Sequence, residues 1–281
     1  MRLGIFAKTF AGGDPLTVLQ AARAAGYATV QYNLACSGLL PLPEFVSDEI
    51  AIAVRAASVE TGVTIAAVSA TYNMIHPDPE VRQRGHLGLC AIARAAHGMG
   101  TRLLTLCTGT RDPDDPWRKH PDNSTPAALR DLLESIKAAL DVAEGYDLDL
   151  GIEPELANVI DSAVRARWLI DELQSPRLKI VLDPANLFER EPPLRARGMV
   201  SQACDLLGDR IVMGHAKDRY EDGRFAAAGK GVIDYPHYLR CLRSIGFTGP
   251  LVAHGLSAAE APAVATFLHS VMREIGGGTS V

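Results

Sequence analysis

Four short apolar runs in the second half of the chain each end on a side chain able to hold a metal ion. Asp149-Leu150-Gly151-Ile152 leads into Glu153, Leu178 to Leu182 into Asp183, Ile211 to Gly214 into His215, and Pro250 to Ala253 into His254. The intervals are 30, 32 and 39 residues, the length of one strand plus a crossover helix and its loops. Units of that length build a parallel sheet, and parallel α/β folds bind ligands outside the carboxyl ends of their strands. The four groups are therefore expected at one face of one sheet. Two carboxylates with two imidazoles suit a divalent ion such as Mn, Fe, Co, Ni or Zn better than calcium, which prefers oxygen ligands.

The same unit recurs upstream. Strand-like runs at Leu3–Phe6, Thr29–Tyr32, Thr64–Val68 and Arg102–Cys107 alternate with helical patterns from Pro15, at 48–61, at 81–99 and at 126–146. Further helices are expected at 159–173, 199–207, 235–244 and 261–275. Eight strands alternating with eight helices predict an α/β fold, a single (β/α)8 TIM barrel, over residues 1–275. Residues 276–281, opening on three glycines, read as a flexible C-terminal tail. An open doubly wound sheet would need a glycine-rich phosphate loop after the first strand, and Ala7 to Gly13 does not supply it.

Composition removes other classes. With 281 residues, 47% apolar, the chain supports one large core. A net charge of -5 with no basic block gives no footprint for nucleic acid. There is no uncharged apolar stretch of about 18 residues to span a membrane, and no signal-peptide pattern, so a cytoplasmic protein is expected. The five cysteines are odd in number and far apart, which reads as reduced thiols. Cys107, at a strand end, is the one placed to line a site.

Individual positions sharpen the picture. A carboxylate such as Glu153, following a fully apolar strand, is costly to bury without a metal or a cation beside it. Asp183, before Pro184, also reads as a turn opener. His215 and Lys217 lie two apart on a strand and share a side. The segment 108–125 is too long to be an idle connection, so Arg111, Trp117 and His120 are expected to wall a substrate, as are Tyr72 and His76 in the loop 72–79. The run Ala228-Gly229-Lys230-Gly231 reads equally as a phosphate loop and as plain surface.

Gly151-Ile152-Glu153, Leu182-Asp183-Pro184-Ala185-Asn186 and His215-Ala216-Lys217-Asp218 together resemble the xylose isomerase-like barrel superfamily of sugar phosphate isomerases and epimerases, over nearly the whole chain. The resemblance implies that Glu153, Asp183 and His215 are three of four ligands of one divalent ion (Mn, Co, Mg or Zn). The family's fourth ligand is a glutamate where this chain has His254, and its histidine three residues after the aspartate is Asn186 here. A metal-dependent isomerase or epimerase of a sugar, sugar phosphate or other hydroxy-carbonyl compound follows, working by proton abstraction through an enediolate. Glu153 is the expected base, with Glu155 or His254 returning the proton, and Lys217, Arg219 and Asn186 the expected substrate contacts. A dehydratase of a polyol or keto acid, and a sugar-binding barrel without turnover, stay open. By the same resemblance a homo-oligomer, dimer or tetramer, is expected, while charge and hydropathy argue for no nucleic acid or membrane partner.

Overall fold

The computed structural model describes residues 1–276. Its strands are β1 (Arg2–Phe6), β2 (Thr29–Tyr32), β3 (Thr64–Ser69), β4 (Leu103–Cys107), β5 (Asp149–Glu153), β6 (Leu178–Leu182), β7 (Ile211–Arg219), β8 (Phe225–Ala227) and β9 (Pro250–Ala253). Its helices are α1 (Pro15–Ala24), α2 (Asp48–Thr61), α3 (Pro79–Met99), α4 (Pro126–Gly145), α5 (Ala163–Leu173), α6 (Pro193–Leu207), α7 (Tyr235–Ser244) and α8 (Ala261–Gly276). All strands but β8 pair in parallel, in chain order from β1 to β7 and then β9. β9 returns to β1. The ring closes, as the alternation predicts.

Closure sorts side chains by parity, because alternate residues of a strand face opposite ways. Ala67, Val181, Met213 and Val252 form a small cluster inside the ring, apart from the larger core between strands and helices. Two residues beyond Val181, Met213 and Val252 come Asp183, His215 and His254. An apolar inner layer is thus topped by a polar one at the carboxyl end, where barrel sites form. No described helix is long and apolar enough to cross a membrane.

The boundaries differ from expectation where side chains compete for backbone groups. α5 starts at Ala163 rather than Val159, because Ser162 caps it by accepting from Arg165 N. Val159 and Ile160 are diverted to the exit of β4, where Val159 N donates to Gly109 O (2.9 Å) and Ile160 N to Thr108 Oγ1 (3.1 Å). Prolines at the first helical turn start α3 at Pro79 and α6 at Pro193, earlier than the apolar period suggests. β7 continues past the site group His215 to Arg219 and turns into the antiparallel β8, a hairpin with no counterpart in the predicted alternation. Gly276 is the last residue of α8 rather than the first of a tail, and the rest of the expected tail, 277–281, lies outside the described residues.

Candidate active site

Glu153 ends β5, Asp183 follows β6, and His215 lies within β7, so three strands deliver them to one point. One ligand atom from each falls within 4.8 Å of the others, the only such group of His, Cys, Asp and Glu among the described residues. His215 Nδ1 lies 3.2 Å from Glu153 Oε1 and 3.9 Å from Asp183 Oδ2. The opposite nitrogen, Nε2, lies 2.8 Å from Gln31 Oε1 on β2. Gln31 is itself oriented, since its Nε2 donates to Thr105 Oγ1 at 2.9 Å. With the amide held this way, His215 Nε2 carries the proton and donates it to Gln31. In the neutral ring this turns the Nδ1 lone pair toward the two carboxylates.

That arrangement fits a divalent cation. A lone pair facing two carboxylates is repulsive unless something positive stands between them, either a proton on Nδ1, as the 3.2 Å contact with Glu153 allows, or a metal ion. Asp183 Oδ2 is fully buried and has no hydrogen-bond partner, although Lys217 Nζ lies 3.1 Å away. Burial, then the charge of Glu153, pushes the Asp183 pKa above the ordinary range against the pull of Lys217 and His215. An unsatisfied buried carboxylate oxygen beside a second carboxylate and an imidazole is a donor set in search of a cation. An acceptor for the ligand histidine's other N–H, the part Gln31 plays here, is the usual support of metal-binding imidazoles.

Asn186 locks the surroundings. Its Nδ2 donates to Glu153 Oε1 (2.9 Å) and its Oδ1 accepts from Lys217 Nζ (3.2 Å), so one amide fixes a carboxylate and an ammonium. Burial opposes ionisation of Glu153, but His215, Lys217 and His254 outweigh it and hold its pKa at about 2. Burial likewise opposes the charged forms of His215 and Lys217, and both are nonetheless raised, His215 chiefly by Glu153 and Lys217 by Asp183 and Glu153. Glu155 behaves oppositely. Burial, with Glu153 and Asp183 nearby, pushes it up to about 8, so it carries a proton at neutral pH.

His254, expected as a fourth ligand, lies outside the three-atom cluster. Its ring stacks on Phe6 (centroids 5.4 Å apart, planes 12° apart) and stands 5.2 Å from the ring of His215. Burial and the charges of His215 and Lys217 bring its pKa down to about 3, and its buried Nδ1 has no partner. It is a neutral imidazole with a spare nitrogen beside the cluster.

Above these groups opens a cavity of about 770 Å³. Glu153, Glu155, Asn186, Lys217, Arg219 and His254 line it, as expected, and so do Trp117 and Cys107. The Cys107 thiol is pushed well up by burial and is packing rather than a nucleophile. Four expected wall residues are elsewhere. Arg111 pairs with Asp131 (2.7 Å) and donates to Ile75 O, which spends its charge on tying the loop to α4. His76 sits between Pro113 O and Asp78 N, and His120 Nδ1 accepts from Asp122 N, so both fasten loops. The Tyr72 ring packs over Gly85 on α3. The reading of Ala228 to Gly231 as a phosphate loop also fails. Asp218 Oδ1 and Oδ2 accept from Arg219 N, Gly229 N and Ile233 N at 2.8–3.0 Å, so a protein carboxylate fills the nest.

Sequence reading missed Gln31, Thr105, Phe6 and Phe225. Gln31 did leave a signal, a lone amide in the apolar strand Thr29–Tyr32. The model of the xylose isomerase-like TIM barrel family matches residues 19–269. The chain belongs to that family. Among solved structures of this barrel type, a D-tagatose 3-epimerase-like protein matches with a TM-score of 0.80 at 14% identity, over 100% of both chains. The 3-keto-D-glucoside 4-epimerase of E. coli, in its apo form, gives 0.74 at 17% over 99% of each. The IOLI protein, solved with a zinc atom, gives 0.74 at 16% over 100% of each. At such identities the likeness is one of fold. No curated protein matches the sequence.

Proposed function

We propose that this barrel is a divalent-metal-dependent isomerase or epimerase of a sugar or related hydroxy-carbonyl compound. The observation that carries the reading is the Glu153–Asp183–His215 cluster, with its unsatisfied buried oxygen, at the floor of a cavity that also holds a neutral imidazole and a protonated carboxyl. Glu153, Asp183 and His215 would hold Mn, Co, Mg or Zn, and the chemistry such an ion supplies is Lewis-acid polarisation of a carbonyl. That two of the similar folds are named as epimerases or epimerase-like, and a third was solved with zinc, is consistent with it.

The chain's own groups divide the proton work by their charge states. Glu153, ionised, and His254, neutral with a free Nδ1, are the acceptors for a proton leaving the carbon beside the carbonyl. Glu155, a carboxyl lining the same cavity, is the donor that returns one. Lys217, fixed by Asn186, offsets the negative charge of the enediolate. Trp117, on the 108–125 segment, supplies an apolar wall that positions the sugar.

Incubation with a panel of ketoses and aldoses in deuterated water tests the reading. Deuterium should enter at the carbon next to the carbonyl, should require the metal, and should disappear in Asp183→Ala. A metal-free preparation that exchanges as fast as the loaded one rules the proposal out. A carboxyl such as Glu155 placed to give a proton also suits expulsion of a β-hydroxyl, which is the second reading, a dehydratase. Release of water, seen as a product two hydrogens and one oxygen lighter, separates them.

A further inference from the structure

Strand β7 carries His215, Lys217 and Arg219 at alternate positions, the last two lining the cavity, and with Glu153 and Asp183 holding a divalent ion these two cations would be short of acid. The charge of a divalent ion would be matched by Glu153 and Asp183. Lys217 and Arg219 are each only 6% exposed. Lys217 pairs with Asp183 at 3.1 Å, an acid it would have to share with the ion, and Arg219 forms no ion pair among the described residues. Of the other acids lining the cavity, Glu155 is turned to Asn158 (3.3 Å), and Glu189, exposed at the rim, acts on Arg219 only at a distance, as Asp183 does. Keeping a guanidinium buried without a directly paired acid is costly.

Both cations are nevertheless built into place. Lys217 Nζ donates to Asn186 Oδ1, while Arg219 donates through Nε to Ala185 O and through Nη1 to Gly223 O. Phe225 pairs directly across the hairpin from Arg219, so its ring falls on the same side. The ring centroid is 4.0 Å from Lys217 Nζ and 4.1 Å from the guanidinium carbon of Arg219.

We infer that the substrate carries a carboxylate, as a sugar acid or polyhydroxy keto acid does, and that Lys217, Arg219 and Phe225 form its subsite. This rests on the isomerase reading and specifies its substrate. The Lys217 ammonium stands beside Asp183, 3.1 Å away, and Arg219 lies two residues, roughly 7 Å, further along the strand, so the acid group points from the reacting carbons outward, with Arg219 as its far anchor. The donors left over favour carboxylate over phosphate. Arg219 has Nη2 uncommitted, and Lys217 has one N–H beyond those facing Asn186 and Asp183, enough for two oxygens. A phosphate monoester brings three oxygens and up to two charges, and the backbone N–H groups that would serve it are held by Asp218.

Calorimetric titration of the metal-loaded protein with gluconate, sorbitol and sorbitol 6-phosphate tests this, since all three lack the carbonyl that turnover needs. Gluconate should bind about tenfold to a hundredfold more tightly than sorbitol, and sorbitol 6-phosphate no better than gluconate. Arg219→Gln should erase the advantage of gluconate and leave sorbitol unchanged, while Arg219→Lys keeps part of it. Should either variant fail to fold, the gluconate-to-sorbitol ratio of the parent decides alone. Equal binding of the two, or a preference for the phosphate, overturns the inference. Proton exchange separates the two levels. Equal kcat/KM on hexuronates and neutral hexoses removes the carboxylate and leaves the isomerase, whereas preferential gluconate binding without exchange on any sugar upholds the subsite and removes the isomerase.

Discussion

Single side chains decide what the cluster can hold. Gln31 touches no carboxylate, yet it sets which nitrogen of His215 bears the proton. Gln31→Leu should leave the fold intact and weaken metal binding by about tenfold to a hundredfold, read by competition with a chromogenic chelator. His254→Ala should keep full metal content, because its ring is outside the cluster, while proton exchange falls by about 10²–10⁴. Loss of the ion from that variant would return His254 to the ligands. Glu155 gives a pH signature in the metal-free protein. Its folded pKa of about 8 lies above the ordinary 4.5, so the bound proton favours folding. That contribution is complete below pH 4.5 and is lost as pH rises through about 8. The melting temperature of Glu155→Gln should therefore fall less than the parent's across that window. Glu153, Asp183 and His215 were legible because each terminates an apolar run. The placement of Tyr72, His76, Arg111 and His120 was not legible, because polarity in a loop says nothing about direction, and partners such as Asp131 for Arg111 come from another segment.

At the scale of elements, the alternation of strands and helices was readable from period and caps, but two features were not. The β7–β8 hairpin hides in a polar stretch, since Lys217, Asp218 and Arg219 carry none of the apolar alternation that marks a strand. The internal wiring of 108–125 is likewise invisible in sequence. Asn123 Oδ1 accepts from Thr110 Oγ1 and Arg111 N, and its Nδ2 donates to Ala157 O, so one buried amide ties the segment to itself and to the β5 exit. Asn123→Ala leaves those groups unpaired at a cost of about 1–3 kcal/mol. The variant should melt earlier and be cut first between 111 and 124 in limited proteolysis. An unchanged cleavage pattern would mean that the segment is held by Trp117 and its neighbours instead. The hairpin is also what carries Phe225 over Lys217 and Arg219, so a substrate wall and a substrate counter-ion come from one turn of chain.

The whole molecule feels the cluster as a conflict, because three strands bring two buried carboxylates together and the closed ring leaves them no room to separate. Metal-free, the fold bears that repulsion, visible in the raised pKa of Asp183 and its unsatisfied oxygen. With a cation bound the same groups stabilise it, by about 2.7 kcal/mol when free metal is a hundred times its Kd. Asp183→Asn removes one charge of the pair and one ligand at once. It should therefore melt no earlier than the parent in chelator, and gain almost nothing when Mn or Zn is added, while the parent rises by several degrees. Scanning calorimetry of both proteins with and without metal gives the four melting points needed. A parent indifferent to every divalent ion, or an Asp183→Asn protein that gains as much as the parent, would mean that the barrel closes around these carboxylates for some other cation, with Lys217 Nζ, 3.1 Å from Asp183, the first to examine.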